Sequence, residues 1–472
     1  MIKFGTDGWR AVISEEFTFA NVQVVAQAIA DYITMTEQGC PVVVIGYDTR
    51  FLSDAYGAEC ARVLAANGIK VLLSDRVIPT PALSFAVKNR QAAGGIMVTA
   101  SHNPYQYNGI KYKAAYGGSA LPDIIKGIEA KLHENTPKVM TLAEGLAKGL
   151  IEYFNGEEEY SIQINSLVDL DKIAAAGARV VIDPMYGAGA GFIRRLLAEK
   201  GLAVSEIRGE HNPLFGGVNP EPIGPNLKGL VAEVGACKAV AGFATDGDAD
   251  RVGAVDASGQ FVNSHIIYAL LLRYLVTQRH WSGGVVKTFS TSLMIDKLAA
   301  RYGLKVFETP IGFKYICELF LKEDILLGGE ESGGIGFKNH VPERDGILCS
   351  LMLMEIMAVS GKSLAELVED LMQEIGWHYY DRVDLHLSPE VKAKGMEQLG
   401  ASLPSAFAGL KVSEVQTLDG IKFVLEESSW ILFRASGTEP VVRIYAESGD
   451  LQVVQRLLQE GQKLFRRGTN AG

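Results

Sequence analysis

Short apolar runs alternate with amphipathic segments along the first part of this 472-residue chain. Residues 42–45, 69–73 and 95–99 are apolar runs, and the segments 18–36 and 54–66 have the spacing of amphipathic helices. Short apolar strands separated by amphipathic helices are typical of a mostly parallel sheet with helices on its faces. The pattern therefore predicts an α/β domain at the start of the chain.

The same alternation returns twice along the chain. Strands are predicted in the second segment at residues 179–182, 203–207 and 239–243, and in the third segment at residues 285–286, 304–307 and 325–327. Helical segments separate these strands, and a long apolar helix is predicted over residues 346–359. Two further α/β units are therefore expected.

The C-terminal part of the chain has a different pattern. It contains short alternating strands, among them residues 430–433 and 441–445, and a terminal helix over residues 451–465. This succession predicts an α+β unit. The expected fold class is therefore α/β, with three consecutive mixed α/β-sheet domains followed by a C-terminal α+β domain. The expected domains are residues 1–152, 153–258, 259–375 and 376–472.

Glycine is overrepresented, with 51 residues, whereas hydrophobic residues make up 48% of the chain and prolines number 16. The hydrophobic content excludes a disordered chain, and the lack of a three-residue glycine period excludes collagen. The surplus glycines are therefore expected in turns and in loops that bind ligands.

Charge and cysteine content exclude further classes of protein. With a net charge of −10, the chain is not expected to bind nucleic acid or an anionic membrane, since both favour basic surfaces. A small anionic substrate stays compatible, because local arginines decide its binding. The five scattered cysteines form no Cys-x-x-Cys pair, and the N-terminus has no apolar signal core, so a cytoplasmic location is expected.

Each of the four units contains a strand that ends in an unusual loop. These loops are residues 99–104, 245–251, 328–334 and 434–440. In parallel sheets, ligands bind beyond the carboxyl ends of the strands. The loops are therefore the candidates for a binding site.

The loop of the second unit carries three carboxylates, Asp246, Asp248 and Asp250, with glycine and alanine between them. Oxygen ligands and small spacers suit Mg²⁺. An EF-hand is excluded, because the sixth position of such a loop needs Gly and is Arg251 here, and the twelfth needs Glu and is Ala257. A solvated acidic turn is the alternative, but three unpaired carboxylates at one tip would repel one another. The motif therefore favours a metal site.

Ser101 lies in a turn of small and polar residues, Ala-Ser-His-Asn-Pro, which exposes its hydroxyl group after a strand. An ordinary turn serine is the simpler interpretation of this loop alone. Together with the metal loop, a serine that carries a phosphoryl group is favoured, because the metal would neutralise charge on the transferring phosphate.

Two further loops have the composition of binding sites. Residues 434–440 (Arg-Ala-Ser-Gly-Thr-Glu-Pro) combine an arginine, hydroxyl groups and backbone N–H groups that a glycine leaves accessible, as a phosphate site does. Arg443 adds a second positive charge. An ordinary turn between strands explains this loop equally well. Glu330 and Ser332 are flanked by glycines and could reach sugar hydroxyls, with a glycine-rich turn as the alternative.

These loops, in this order, resemble those of the α-D-phosphohexomutase superfamily, and the resemblance covers essentially the whole chain. Residues 5–10 (Gly-Thr-Asp-Gly-Trp-Arg) and 46–50 (Gly-Tyr-Asp-Thr-Arg) support it. The family has four domains around a central active-site cleft. The resemblance therefore implies that one loop from each domain meets in the cleft of this chain.

The resemblance also implies which groups transfer phosphate. Ser101 corresponds to the phosphoserine of the family. Mg²⁺ would be held by a phosphate oxygen on Ser101 and by three carboxylates, those of Asp246, Asp248 and Asp250. The phosphoryl-transfer site would be lined by Arg10, His102 and Lys111, with Lys111 as the general acid/base.

Further residues correspond to groups that bind the sugar phosphate. Sugar hydroxyls would be bound by Glu330 and Ser332. Two cations resemble substrate-contacting residues, Arg251 and Lys314. The phosphate that does not react would be held in the fourth loop by Arg434, Ser436, Gly437 and Thr438, with Arg443 nearby.

The implied reaction interconverts α-D-glucose 1-phosphate and glucose 6-phosphate through glucose 1,6-bisphosphate. Residues 329–334 and 308–314 look most like the glucose-type enzymes. At position 331, glucosamine-type members usually have Gln and mannose-type members often have Met, whereas this chain has Glu331. Mannose or mixed glucose and mannose activity stays open, because Ile311 stands where many glucose-type enzymes have Thr. A phosphoglucosamine mutase is the less favoured alternative.

Two functions of a different class are alternatives to a mutase: a phosphosugar hydrolase and a noncatalytic phosphosugar-binding protein. The hydrolase would pass the phosphoryl group of Ser101 to water. In each case the expected partner is a small phosphosugar, and the expected state is a monomer or a homodimer.

Overall fold

The first sheet combines apolar strands with strands that carry buried charges. The computed structural model describes residues 2–5, 7–437 and 440–466. Its first elements are β1 (Trp9–Val12), α1 (Phe19–Thr36), β2 (Val42–Tyr47), α2 (Ser53–Ala66), β3 (Lys70–Ser74), α3 (Thr80–Asn89), β4 (Gly94–Val98), β5 (Tyr107–Ala114), α4 (Pro122–Glu129), α5 (Leu142–Ala147) and β6 (Ile151–Phe154). The strand order is β1-β5-β4-β2-β3-β6, and β5 is antiparallel to both of its neighbours.

The hydrophobic pattern does not predict β1 or β5. Lys111 and Lys113 lie in the middle of β5 and are only 1% and 0% exposed. Their ammonium groups pair with carboxylates from distant parts of the chain, Asp248 and Glu343. Buried charges are tolerated where they are paired, so this strand has no apolar signature in the sequence.

The second sheet carries the metal loop, residues 245–251, which contains the three aspartates. Its domain contains α6 (Glu157–Leu167), α7 (Leu170–Ala176), β7 (Val180–Asp183), α8 (Phe192–Glu199), β8 (Ser205–Glu206), α9 (Lys228–Cys237), β9 (Ala241–Thr245), β10 (Val252–Asp256) and β11 (Phe261–Val262). The strand order is β11-β10-β9-β7-β8, with β7 parallel to β8 and β9 and with β10 antiparallel to β9. The metal loop therefore joins two adjacent antiparallel strands.

The third domain has a smaller sheet and the most apolar helix. Its elements are α10 (Ser264–Thr277), β12 (Gly284–Thr288), α11 (Met294–Tyr302), β13 (Val306–Thr309), α12 (Phe313–Lys322), β14 (Ile325–Gly329), β15 (Ile335–Phe337), α13 (Gly346–Ser360) and α14 (Leu364–Ile375). The strand order is β13-β12-β14-β15. Helix α13 is buried on all sides and is capped at its N-terminus by Asp345, whose side chain accepts a hydrogen bond from Leu348 N–H.

The fourth domain is an antiparallel sheet with two helices. Its elements are β16 (Tyr379–His386), α15 (Pro389–Ala401), β17 (Ala406–Phe407), β18 (Leu410–Gln416), β19 (Ile421–Leu425), β20 (Ser429–Ala435), β21 (Val441–Ser448) and α16 (Leu451–Arg466). The strand order is β16-β21-β20-β19-β18-β17. The sequence prediction of an α+β unit is confirmed by this arrangement.

The first three domains share a hydrophobic cluster, and the fourth has its own. Val44 of the first sheet, Phe243 of the second and Leu327 of the third belong to one cluster of buried residues. A separate cluster in the fourth domain includes Phe433 and Leu457. The first three loops therefore rest on continuous packing, whereas the sheet that carries the fourth loop packs on its own core and, through Trp430 and Leu432, on Phe289 of the third domain.

The mixed four-domain fold class is confirmed, while the domain boundaries stay a prediction. Two sheets extend past the expected boundaries, because β6 continues beyond residue 152 and β11 lies beyond residue 258. A strand belongs to the sheet with which it pairs, and the local composition at the expected boundaries does not reveal that pairing. In the part of the chain that the structure describes, no single helix is long and apolar enough to cross a membrane; α13 and α14 would pass together but are bent by 84°.

Candidate active site

Three buried aspartates lie in the loop between β9 and β10. One ligand atom from each of Asp246, Asp248 and Asp250 lies within 4.8 Å of the others. Thr245 and Val252 face each other on the two strands, so the intervening loop is tight and its side chains converge. The structure thus brings together the three carboxylates predicted to hold a metal.

Each of these carboxylates has at least one oxygen engaged by the protein. Asp246 Oδ1 accepts hydrogen bonds from the backbone N–H groups of Asp250 and the following residue, at 2.9 and 3.0 Å. Lys111 Nζ donates to Asp248 Oδ2 at 2.8 Å. Arg344 Nη2 lies 2.6 Å from Asp250 Oδ2. The protein therefore fixes the orientation of all three carboxylates.

The other carboxylate oxygens suit a cation. Within the described residues, Asp248 Oδ1 and Asp250 Oδ1 are buried without a hydrogen-bond partner, which costs about 1–3 kcal/mol per group if nothing binds them. Asp246 Oδ2 accepts a hydrogen bond from Ser101 Oγ at 2.7 Å. Burial, with the charges of Asp250 and Asp248, raises the pKa of Asp246 well above its usual range. A hard cation with oxygen ligands, such as Mg²⁺, fits this set.

Ser101 is held in an unusual backbone conformation beside the aspartates. Its φ is +51°, in the left-handed region that costs a non-glycine residue about 1 kcal/mol or more. The residue is fully buried in the loop between β4 and β5, and its N–H donates to Thr99 Oγ1 at 2.8 Å. Such a conformation persists only where the surroundings enforce it, and in it the hydroxyl reaches the metal loop.

His102 lies beside Ser101 as a neutral imidazole. Its Nδ1 is 3.5 Å from Ser101 Oγ, at the outer limit of a hydrogen bond. Burial, together with the charges of Arg251 and Arg10, holds the pKa of His102 well below its usual range. The ring therefore adds no charge to the site. One of its nitrogens can donate a hydrogen bond, and the other can accept one.

Lys111 is surrounded by carboxylates. Its Nζ lies 2.8 Å from Asp248 Oδ2, 3.1 Å from Asp250 Oδ2 and 3.0 Å from Asp7 Oδ2. Burial disfavours the ammonium form, but the three carboxylates outweigh it and raise the pKa of Lys111. The predicted acid/base residue therefore also orients two of the aspartates.

Two guanidinium groups flank the serine and metal loops. Arg10 lies in β1, and its Nη1 donates to Asn103 Oδ1 in the serine loop at 2.6 Å. Arg251 follows the metal loop, and its Nε lies 3.9 Å from Asp250 Oδ1 and 4.0 Å from Asp246 Oδ2. Both predicted cations are thus next to Ser101 and the aspartates, where they would meet an anionic group.

The turn between β14 and β15 contains Glu330 and Ser332. Burial raises the pKa of Glu330, whose Oε2 lies 3.5 Å from Arg344 Nη1. Val252 N–H donates to the Gly333 carbonyl at 3.1 Å, so β10 binds this turn directly. Gly333 has a φ of +93°, and a Cβ there would lie 2.7 Å from the Val252 carbonyl oxygen. The metal loop and the turn predicted to bind sugar are therefore joined.

Arg344 connects loops of three domains and is not among the residues predicted from the sequence. Arg344 Nη2 lies 2.6 Å from both Asp7 Oδ2 and Asp250 Oδ2, and Nη1 approaches Glu330. The available sequence signal is the charged run 343–345, which stands between a proline and the most apolar helix. A charged run at the start of a buried helix needs partners, and here they belong to the site.

The fourth domain contributes a pair of arginines. Arg434 on β20 and Arg443 on β21 are direct neighbours across the strands. Asp419 Oδ1 lies 3.0 Å from Arg434 Nε, and Asp384 Oδ2 lies 3.5 Å from Arg443 Nε. Like charges directly opposite each other destabilise a sheet, so this pair suits a site for an anion such as phosphate.

The turn after β20 contains the rest of the predicted phosphate loop. Ser436 is buried; its N–H donates to the Val441 carbonyl at 2.9 Å, and its carbonyl accepts a bond from Lys392 Nζ at 2.8 Å. Gly437 is exposed. Thr438 lies outside the described residues.

Lys314 is the predicted site residue that is least connected to the others. It lies in the first turn of α12, half-buried, with its Nζ 5.3 Å from the centre of the Tyr315 ring. The hydrogen bonds and ion pairs of the described residues do not connect Lys314 to the metal loop or to the serine loop. A substrate contact by Lys314 stays a prediction.

Glu331 connects the third and fourth domains. Its Oε1 accepts a hydrogen bond from Arg382 Nη1 of β16 at 2.9 Å. Burial raises the pKa of Glu331, but the Arg382 charge and hydrogen bonds outweigh it and hold the pKa below its usual range. The residue that distinguishes sugar types in the sequence comparison therefore also binds the fourth domain.

Replacing Glu331 by glutamine is expected to loosen this attachment. The change keeps the shape of the side chain but removes the charge that holds Arg382, at a cost of about 1 kcal/mol. Amide hydrogen exchange over residues 379–386 should become roughly fivefold faster, as that energy implies. Glu369→Gln, on the third domain's helix α14, is the control. Equal exchange in the two variants would contradict the role of this ion pair.

A buried serine beside three clustered carboxylates, with a pair of arginines in another domain, is the arrangement of a phosphoryl-transfer enzyme. Four family descriptions of phosphoglucomutase/phosphomannomutase match the chain: alpha/beta/alpha domain I at residues 1–138, domain II at 158–259, domain III at 263–375, and the C-terminal domain at 390–461. The chain belongs to the phosphoglucomutase/phosphomannomutase family. Its members are phosphohexomutases, which are isomerases.

Curated relatives match nearly the full length of the chain. A phosphoglucomutase/phosphomannomutase from Thermococcus kodakarensis is 31% identical over 465 residues, covering 98% of each protein. A probable phosphoglucosamine mutase from Pyrococcus abyssi is 32% identical over 464 residues, covering 98% of this chain and 97% of the relative. The names of relatives at similar identity therefore differ in the sugar.

Solved structures share the fold. A provisionally named phosphomannomutase from Thermus thermophilus is 41% identical, with a TM-score of 0.87 and coverage of 98% of this chain and 99% of that one. An N-acetylphosphoglucosamine mutase from Aspergillus fumigatus, in complex with GlcNAc-6P and magnesium, has a TM-score of 0.55 at 16% identity, with coverage of 99% and 96%. The second likeness concerns the fold alone.

Proposed function

We propose that this phosphohexomutase interconverts α-D-glucose 1-phosphate and glucose 6-phosphate through a phosphorylated Ser101 and glucose 1,6-bisphosphate. The observation that carries the proposal is the 2.7 Å hydrogen bond from Ser101 Oγ to Asp246 Oδ2, within a cluster of three carboxylates. A serine hydroxyl at a divalent-cation site is suited to accept and release a phosphoryl group.

The proposed cofactor is Mg²⁺. It would be held by one oxygen each of Asp246, Asp248 and Asp250, and by a phosphate oxygen on Ser101. Bound Mg²⁺ would neutralise charge on the transferring phosphoryl group. Lys111 and Arg344 support this role, because they hold the opposite oxygens of Asp248 and Asp250 and so orient the ligands.

The proposed reaction moves one phosphoryl group off Ser101 and another back onto it. The Ser101 Oγ–phosphorus bond breaks while the hydroxyl oxygen at carbon 6 of the hexose 1-phosphate bonds to phosphorus. The bisphosphate then turns round, and the phosphate at carbon 1 returns to Ser101. Lys111 is assigned the proton transfer that accompanies each step, and Arg10 and Arg251 would bind the charged phosphoryl oxygens. Neutral His102 would supply a hydrogen bond.

The remaining groups are proposed to hold the sugar in both orientations. Glu330 and Ser332 would bind sugar hydroxyls close to the metal loop, which is consistent with their attachment to β10. The unreacting phosphate would bind at Arg434, Ser436, Gly437 and Arg443. Two roles rest on the family resemblance alone, those of Thr438 and Lys314.

The proposed setting is a cytoplasmic enzyme that acts on a small phosphosugar. All five cysteines are free, as in proteins of reducing compartments. A monomer and a homodimer are both compatible with a cleft that is formed within one chain.

The sugar is tested by measuring kcat/KM for the 1-phosphates of glucose, mannose and glucosamine side by side. Glucose 1-phosphate is expected to be preferred by at least about tenfold, since a site built to bind sugar hydroxyls discriminates against a changed group at carbon 2. Activity should require Mg²⁺ and be stimulated by the 1,6-bisphosphate. Equal efficiency with mannose 1-phosphate would overturn the assignment, and steady release of inorganic phosphate without isomerised sugar would indicate a hydrolase.

A further inference from the structure

One guanidinium group holds the serine loop by its backbone. Arg50 follows β2 and is only 2% exposed. Its Nη2 donates to the carbonyl oxygens of Ser101 and Asn103 at 2.6 and 2.7 Å. Its Nη1 donates to those of Pro104 and Tyr107 at 2.9 and 3.0 Å. Four carbonyl groups of one loop therefore converge on a single side chain, and none of the reaction steps above uses it.

Asp48 orients Arg50 and, through Thr99, also fixes the backbone N–H of Ser101. Its Oδ2 lies 3.2 Å from Arg50 Nε, and its Oδ1 accepts hydrogen bonds from the Arg50 N–H at 3.0 Å and from Ser53 Oγ at 2.9 Å. Thr99 Oγ1 donates to Asp48 Oδ2 at 2.6 Å and accepts the Ser101 N–H at 2.8 Å. Both backbone polar groups of Ser101 are thus fixed by the Asp48–Arg50 pair.

This bonding accounts for the conformation of Ser101. A φ of +51° is unfavourable for serine, and the bonds from Arg50 and Thr99 are made to the peptide groups on both sides of that torsion. In this conformation Ser101 Oγ meets Asp246 Oδ2. The Phe215 ring, from the second domain, covers the Arg50 guanidinium at 4.9 Å. The bonded network is therefore enclosed by protein.

We propose that Arg50, oriented by Asp48, is the positioning residue that presents the Ser101 hydroxyl to the metal loop. Its two Nη atoms donate to carbonyl groups of the serine loop and its Nε lies beside Asp48, so it acts through Ser101 and not on the sugar. Lysine cannot replace it, because a single ammonium offers three donors from one point, whereas the planar fork offers five in fixed directions. The effect on turnover rests on the proposed function, while the effect on the loop does not.

The test compares Arg50→Lys with Arg62→Lys. Arg62 is a fair control, since it also pairs with a carboxylate, Glu59, and donates to a backbone carbonyl, that of Met140, at 2.9 Å. Amide hydrogen exchange of residues 101–107 should rise in Arg50→Lys only. The kcat should fall about 100-fold, as displacement of a reacting group by about 1 Å produces, with KM changed less than about threefold because no sugar contact is lost.

A second variant keeps the proposal testable if Arg50→Lys is poorly folded. Arg50→Ala leaves a cavity of guanidinium shape, and added methylguanidinium should restore part of kcat, which a merely structural role would not show. Unchanged exchange of residues 101–107 in Arg50→Lys would overturn the positioning role. So would faster exchange with full kcat. If the unaltered enzyme isomerises none of the three sugar phosphates, the proposed function fails, and the exchange measurement still decides whether Arg50 holds the loop.

Discussion

Replacing Ser101 with alanine is expected to lower hexose-phosphate isomerisation at least about a thousandfold while the protein stays folded. The hydroxyl is the atom that would carry the phosphoryl group, so its removal eliminates the covalent step, and neighbouring groups cannot substitute for it. The change removes one hydrogen bond, to Asp246, from a site with many others. The measurement is kcat/KM with glucose 1-phosphate, together with intact mass after incubation with the bisphosphate.

Ser84→Ala provides the matched control. Ser84 is also fully buried in the first domain, in α3, and its Oγ has no hydrogen-bond partner among the described residues. That variant should keep full activity and should accept one phosphate from glucose 1,6-bisphosphate, whereas Ser101→Ala should accept none. A Ser101→Ala enzyme with more than about a tenth of the original rate is incompatible with a phosphoserine mechanism.

Local motifs account for the parts of this site that the sequence predicted. Asp246, Asp248 and Asp250 stand close together in the chain, so the tight loop between β9 and β10 suffices to make them converge. Ser101 could be recognised in its turn, but its positive φ could not, because that conformation depends on Arg50 and Thr99. Short-range sequence patterns therefore find the reacting groups and miss what holds them.

Arg344 shows why long-range contacts escape such patterns. Its partners Asp7, Asp250 and Glu330 come from three different domains, and they meet only after the sheets have assembled. The same cause hides β5, whose buried Lys111 is balanced only by carboxylates from elsewhere in the chain. In both cases the folded structure supplies the counter-charge, so no local property of the sequence marks the residue as buried.

The fold could be predicted more completely than the site, because helices and strands leave periodic hydrophobic patterns in the sequence. The apolar runs that became β2, β3 and β4 are flanked by helical segments, which is sufficient to predict a parallel sheet core. The antiparallel additions are less visible. A two-residue strand such as β11 is too short to have a period, and it joins its sheet only through pairing with β10.

Replacing Asp248 with asparagine is expected to weaken Mg²⁺ binding at least about 100-fold and to abolish most of the isomerase activity. Asp248 Oδ1 is buried without a partner in the described residues, so it is free to be a ligand, and Oδ2 is held by Lys111. Burial raises the pKa of the Asp248 carboxyl, but the charge and hydrogen bond of Lys111 outweigh it and hold that pKa below its usual range. The group is therefore a carboxylate at neutral pH. An amide would offer a weaker ligand and leave Lys111 short of one counter-charge.

The control for this prediction is Asp183→Asn. Asp183 is likewise a fully buried carboxylate of the second domain, in β7, but it pairs with Arg208 and lies outside the cluster of three. Its loss should lower the temperature of unfolding without changing Mg²⁺ affinity, measured by calorimetric titration of the folded protein. Chelation of Mg²⁺ should stop the unaltered enzyme, and restoring the metal should recover it. If Asp248→Asn binds Mg²⁺ as tightly as the Asp183→Asn protein does, the aspartate cluster is not the metal site, because an oxygen ligand cannot be removed from a hard cation without a large loss of affinity.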